Sequence, residues 1–111
     1  MELKKTLEMN RLFDFYGPLL TPKQQKYLKM YYQLDYSLGE IAEELCVSRQ
    51  AVYDNIKRSE KNLKNYEDKL HLVAEFTDRE IAINQLSDYV SKHYNSDKTL
   101  IKFIEQISTE R

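Results

Sequence analysis

Three observations predict an all-α fold. Glycine and proline occur only twice each in 111 residues, so few points along the chain favour a break in a helix. No segment sustains the alternation of apolar and polar residues that a half-buried strand needs. Apolar side chains instead recur at spacings of three and four, and helix start and stop signals divide them into six segments. A chain of this length holds one domain with one modest core. We therefore expect a single helical domain over residues 1–111, with its core in 1–66 and a C-terminal helical extension in 67–111.

The first helix is expected from about Glu2 to Tyr16, with Leu7, Leu12, Phe13 and Tyr16 inward, stopping at Gly17-Pro18. The second has a complete start signal. Thr21 is the N-cap, Pro22 takes the first helical position where its missing N–H costs nothing, and Gln24 can close a capping box. Tyr27, Leu28, Met30, Tyr31 and Leu34 form its inward stripe.

Residues 36–63, YSLGEIAEELCVSRQAVYDNIKRSEKNL, have the spacing of a helix-turn-helix. Ser37 can cap a short helix whose Ile41, Ala42 and Leu45 lie inward while Glu40, Glu43 and Glu44 face out. Cys46 and Val47 form the turn. Ser48 caps the second helix, in which Ala51, Val52 and Ile56 point inward and Arg49, Gln50, Tyr53, Asp54, Lys57 and Arg58 remain outside. Arg and Gln near the start of such a helix suit bidentate bonds to base edges, and Lys57, Arg58, Lys61 and Lys64 suit phosphates. The candidate nucleic-acid-binding set is thus Ser48, Arg49, Gln50, Tyr53, Asp54, Lys57, Arg58 and Lys61. The plainer alternative is an amphipathic helix with a solvated charged face.

Between Ser48 and Phe76 there is neither Gly nor Pro, and Leu63, Tyr66, Leu70 and Val73 continue the apolar seam. An extended recognition helix from Ser48 to about Ala74, on the order of 40 Å long, is expected. Thr77 and Glu80 have the residue types of a capping box for a fifth helix bearing Ile81, Ala82, Leu86, Tyr89 and Val90. After Ser96 and Asp97 a sixth carries Leu100, Ile101, Phe103, Ile104 and Ile107. These extra C-terminal helices either fold back onto the core or pair with another chain, and the Ile-rich stripe of the sixth favours a homodimer.

Charge is uneven along the chain. Residues 1–20 have three basic and three acidic side chains, residues 21–66 eight and six, and residues 67–111 six and nine. From Ser48 to Tyr66 five basic residues oppose only Asp54 and Glu60, so this stretch of the proposed recognition helix is locally positive. Asp54 lies on the face that would approach phosphates and would repel them. Tight DNA binding by a single copy is therefore not expected.

Other function classes are disfavoured. The chain has no apolar run that could span a bilayer and no signal-peptide pattern, and its lone Cys46 suits a reducing compartment, so a cytoplasmic protein without membrane insertion is expected. His71 and His93 have no Cys or second His at metal-ligand spacing, and no Gly-rich phosphate loop is present. Neither an enzyme nor a bound metal or cofactor is expected. Tyr27, Tyr31, Tyr32 and Tyr36 bunch beside the motif, with core packing the first expectation for them and stacking on unpaired RNA bases the second.

Leu20 to Leu63 resembles region four of bacterial sigma factors, through LTPKQQ, the EIAEEL helix and the VSRQAV turn. The whole chain, with FDFYGPLLT, VSRQAVYDNIKRSEKNL and an acidic helical tail, resembles the YlxM family more closely. That resemblance implies a sigma factor region four-like helix-turn-helix protein of the bacterial cytoplasm, not an enzyme, usually encoded beside the GTPases of the signal recognition particle (SRP) pathway. It further implies a regulatory or accessory role there, with DNA or the SRP RNA as ligand and the SRP GTPases as protein partners. By position, Arg49, Gln50, Tyr53, Asp54 and Lys57 would face bases and Arg58 the backbone. Two departures stand out. Cys46 replaces the glycine usual in sigma-type turns, and Asp54 and Asn55 replace residues that are often basic. The competing reading is a dimeric DNA-binding transcription regulator without direct contact to the SRP.

Overall fold

The computed structural model describes residues 2–109. It contains α1 (Glu2–Tyr16), α2 (Pro22–Leu28), α3 (Leu38–Leu45), α4 (Arg49–Leu70), α5 (Leu72–His93) and α6 (Lys98–Thr109), with no strand among the described residues. The all-α expectation holds. The described residues form two compact units, one ending at His71 and one beginning at Leu72.

In the first unit α4 is the central element, touched by α1, α2 and α3. Met9, Leu12 and Tyr16 of α1, Tyr27 and Leu28 of α2, Ile41 and Ala42 of α3, and Val52, Ile56 and Leu63 of α4 make the core. Ser59 is fully buried as well; its hydroxyl donates back to the Asn55 carbonyl at 2.8 Å, so its polar atom is satisfied without a tertiary partner. Tyr16 combines a fully buried ring with a polar tip, donating to Glu67 Oε1 at 2.5 Å. Some expected inward residues are not: Leu7 and Leu34 are more than half exposed, and Ala51 is exposed too. Leu7 lies two residues before the buried Met9, about 200° round the helix from it, and so faces away from the core. Leu34 follows the end of the second helical segment.

That second segment ends irregularly. After the capping box of Thr21 and Gln24, both halves of which form, α2 widens into a π-helical turn over Lys29–Gln33. The Leu34 N–H then reaches the Lys29 carbonyl at 3.0 Å and the Tyr36 N–H the Met30 carbonyl at 2.9 Å. Asp35, at φ 60°, reverses the chain, a left-handed position that Asp tolerates better than most residues.

The extended recognition helix is present but ends at Leu70, about 33 Å from its start. His71 stops it by adopting the left-handed conformation (φ 55°, ψ 26°), with its N–H on the Glu67 carbonyl at 2.9 Å. His, like Asp, is enriched at such positions, and neither Gly nor Pro was needed. The Thr77–Glu80 pair opens no helix. Thr77 lies inside α5, which runs unbroken from Leu72 to His93, and a capping box requires a non-helical residue at the cap.

In the second unit α5 packs on α6, burying Val90 and Ile104. Asp97 starts α6, its side chain accepting from the Leu100 N–H at 3.0 Å. Ile81, Leu86, Tyr89, Phe103 and Ile107, which the sequence offers for packing, are each more than two-fifths exposed. A pair of helices has too few faces to cover them all.

Candidate nucleic-acid interface

The motif begins with a reciprocal cap. Ser37 Oγ accepts from the Glu40 N–H at 3.1 Å and Glu40 Oε1 accepts from the Ser37 N–H at 2.9 Å. The backbone N–H of Ser37, then its side chain, hold the Glu40 carboxyl below its ordinary range. Glu40 is therefore more than an outward-facing acid, and Ser followed three residues later by Glu is the signal for this box.

The turn is a Schellman closure. Cys46 takes φ 56°, ψ 46°, the Val47 N–H bonds the Ala42 carbonyl at 3.0 Å, and the Cys46 N–H bonds that of Glu43 at 3.4 Å. A residue with a β-carbon thus occupies a conformation that normally selects glycine. Ser48 follows as N-cap of α4, its Oγ accepting from the Ala51 N–H at 3.0 Å. Its hydroxyl therefore positions the helix first.

From there the sequence-predicted residues separate into a stripe and two edges. With 3.6 residues per turn, Gln50, Asp54, Lys57 and Lys61 line up along one face, Tyr53 stands beside them, and Arg49 and Arg58 lie on opposite edges. Ser48 and all seven others are exposed. Gln50 donates from Nε2 to Asp54 Oδ1 at 2.9 Å, so the carboxylate that repels phosphates also orients the amide best suited to a base edge. Lys57 Nζ sits 5.5 Å from the Tyr53 ring centroid, a cation–π approach. A β-carbon placed on Gly39 would lie 3.7 Å from Arg49 Nε; the guanidinium rests over the first turn of α3.

Glu60 is not a solvated charge of this helix but is 5% exposed. It accepts from the Tyr32 hydroxyl and pairs at 3.6 Å with both Lys57 and Lys5. Lys57 is consequently less free for phosphate than Lys61. A position such as 60, one turn after Ile56 and before Leu63, carries the signal of burial, but only the fold brings Tyr32 and Lys5 to it. Lys5, Lys57, Lys61 and Lys64 line a groove of about 460 Å³ that Glu60 and Asp68 also border.

No helix among the described residues is long and apolar enough to cross a membrane, and no group of three or more His, Cys, Asp or Glu among them could hold a metal ion.

An exposed capped helix, set by a tight turn against a shorter capped helix, defines a helix-turn-helix fold, the type used by nucleic-acid-binding regulators. Comparison with known proteins agrees. Residues 3–107 match the family model described as "Putative helix-turn-helix protein, YlxM / p13 like", and the chain belongs to this family, UPF0122. A UPF0122 protein of Limosilactobacillus fermentum is 59% identical over 105 residues, covering 95% of this chain and 93% of the relative. One from Lactiplantibacillus plantarum is 55% identical over 107 residues, with 96% and 93% covered. Another from Lactococcus lactis subsp. cremoris is 54% identical over 107 residues with the same coverage.

Proposed function

We propose that this chain is a non-enzymatic cytoplasmic regulatory or accessory protein of the SRP pathway that binds nucleic acid through the outer face of α4. The observation that carries the nucleic-acid part is the exposed stripe of Gln50, Tyr53, Lys57 and Lys61 on a helix whose start is fixed by the Ser48 cap. Arg49 and Arg58 flank it, and Asp54 holds Gln50. The pathway comes from the resemblance of the whole chain to the YlxM family, and with it the SRP RNA and the SRP GTPases as partners. The acidic C-terminal unit is the natural protein-contacting part, because like charge keeps it off nucleic acid.

The test is binding of the purified protein, at physiological salt, to three ligands: the SRP RNA, its GTPase, and the DNA upstream of its own operon. Preference for the RNA or GTPase is expected. Saturable, sequence-dependent DNA binding without affinity for the particle would replace this reading by its alternative, a dimeric DNA-binding transcription regulator. One observation favours that second reading. Tyr89, Tyr94 and Phe103 of the second unit are each more than half exposed, and a homodimer made there would double the phosphate contacts of a weakly basic subunit.

A further inference from the structure

Beside the α4 stripe, the first unit holds a cleft of about 430 Å³ walled by Tyr31, Tyr32 and Tyr36, with Lys5, Asp35 and Glu40 at its border. Its size is that of a small-molecule site, about 300–1,000 Å³. We propose that this cleft takes one unpaired RNA base between its tyrosines, and that Lys61 and Lys64 hold the phosphates leading from it. The idea rests on the nucleic-acid-binding reading above and adds a second contact surface to it.

Five features converge on this ligand. Tyr31 and Tyr32 lie in the π-helical turn that follows α2, and Tyr36 directly follows the left-handed Asp35, the kind of irregularity that collects at functional positions. Tyr31 and Tyr32 meet edge to face, their ring centroids 4.9 Å apart, and the Tyr32 hydroxyl is tied to Glu60; the wall is held in place before any ligand arrives. Asp35 and Glu40 offer carboxylate oxygens, which accept from the N–H groups of a base's Watson–Crick edge and repel phosphate, so the base and not the backbone belongs here. Lys5 borders both this cleft and the lysine groove along α4, which places the two side by side. Aromatic walls beside a basic track are how proteins hold unpaired strands. The hydroxyls of Thr6 and Ser37, also at the cleft, give a ribose 2′-OH the partners that favour RNA.

The experiment uses the full chain and a short unpaired RNA carrying 5-iodouridine, the DNA strand of the same sequence, and the RNA annealed to its complement. Photo-crosslinks to Tyr31, Tyr32 or Tyr36 are expected with the unpaired RNA and not with the duplex. Tyr36→Ala should weaken binding of that RNA by roughly fivefold to a hundredfold, the range of one lost base stack, while Tyr36→Phe keeps it. Lys64→Ala, at an exposed site that cannot harm the core, should lower the salt slope by about 0.7. Crosslinks confined to Tyr53, or undiminished affinity in both Tyr36→Ala and Lys64→Ala, overturn the cleft but leave α4 as a nucleic-acid helix. Equal affinity for the DNA strand overturns the choice of RNA. Failure to bind any nucleic acid, duplex DNA included, removes the cleft and the proposed function together.

Discussion

The phenol of Tyr32 donates its hydrogen bond to the carboxylate of Glu60, 28 residues further along the chain. This bond ties the turn after α2 to the middle of the recognition helix. Tyr32→Phe should therefore destabilise the protein by about 1–2 kcal/mol in urea unfolding, the cost of leaving a buried acceptor short of a donor. The lower end is expected, because Lys5 and Lys57 still neutralise Glu60.

The same bond predicts a pH dependence. Burial first, then the hydrogen bond to Glu60, push the Tyr32 phenol well above its ordinary value of 10.0. A group with a raised folded pKa contributes stability that is complete below the unfolded pKa and is lost as pH rises towards the folded one. Stability from Tyr32 should thus be intact up to about pH 10 and decline above it. Ultraviolet titration of the folded protein should leave Tyr32 protonated after freely exposed phenols have ionised. In Tyr32→Phe the number of tyrosines titrating near pH 10 should not change; a drop by one would contradict the assignment.

Cys46 stands in the left-handed region at the hinge of the motif. Cys46→Gly should raise stability by roughly 1 kcal/mol, since glycine pays no β-carbon penalty there, and nucleic-acid affinity should stay unchanged. Cys46→Ala, which keeps the β-carbon, should gain nothing. Equal urea midpoints for the Gly and Ala variants would argue against strain at this turn.

The lysines of α4 should not be equivalent in binding. Lys61→Ala removes a cation with open access to phosphate, so the dependence of log K on log salt should fall by about 0.9 on duplex DNA. Lys57→Ala removes one already shared with Glu60 and should reduce the slope by less. Asp54→Asn should strengthen binding by deleting a like charge while keeping an acceptor for Gln50. Salt titrations of the three variants check this order, and a larger effect from Lys57 than from Lys61 would reverse it.

Self-association is best tested at Phe103, which is 56% exposed. If the second unit pairs with another copy, Phe103→Asp should convert a sedimenting dimer to a monomer without loss of helix. Ile104→Asp is the control with the opposite meaning: Ile104 is buried between α5 and α6, so a carboxylate there should unfold the unit itself. A wild-type monomer at all concentrations would remove the premise.

Much of the first unit was legible because its signals are local. The caps at Thr21, Ser37 and Ser48 satisfy N–H groups three residues away, and spacings of three and four place Ile41, Val52, Ile56 and Leu63 inward whatever surrounds them. The Thr77–Glu80 pair shows the limit of such signals. The same residue types are compatible with a helix interior, and the choice falls to whether the preceding backbone is already helical, as it is from Leu72 onward.

From sequence alone came the all-α class, the helix-turn-helix and the identity of its exposed face, since each depends on contacts between neighbours in the chain. The tertiary structure decided the burial of Glu60 among Tyr32, Lys5 and Lys57, and the placing of Lys5 at the border of both the tyrosine cleft and the lysine groove. Those depend on residues from α1, the turn after α2 and α4 meeting in space. No local periodicity records such meetings, because burial and charge pairing are properties of the packed surface rather than of the segment that supplies them.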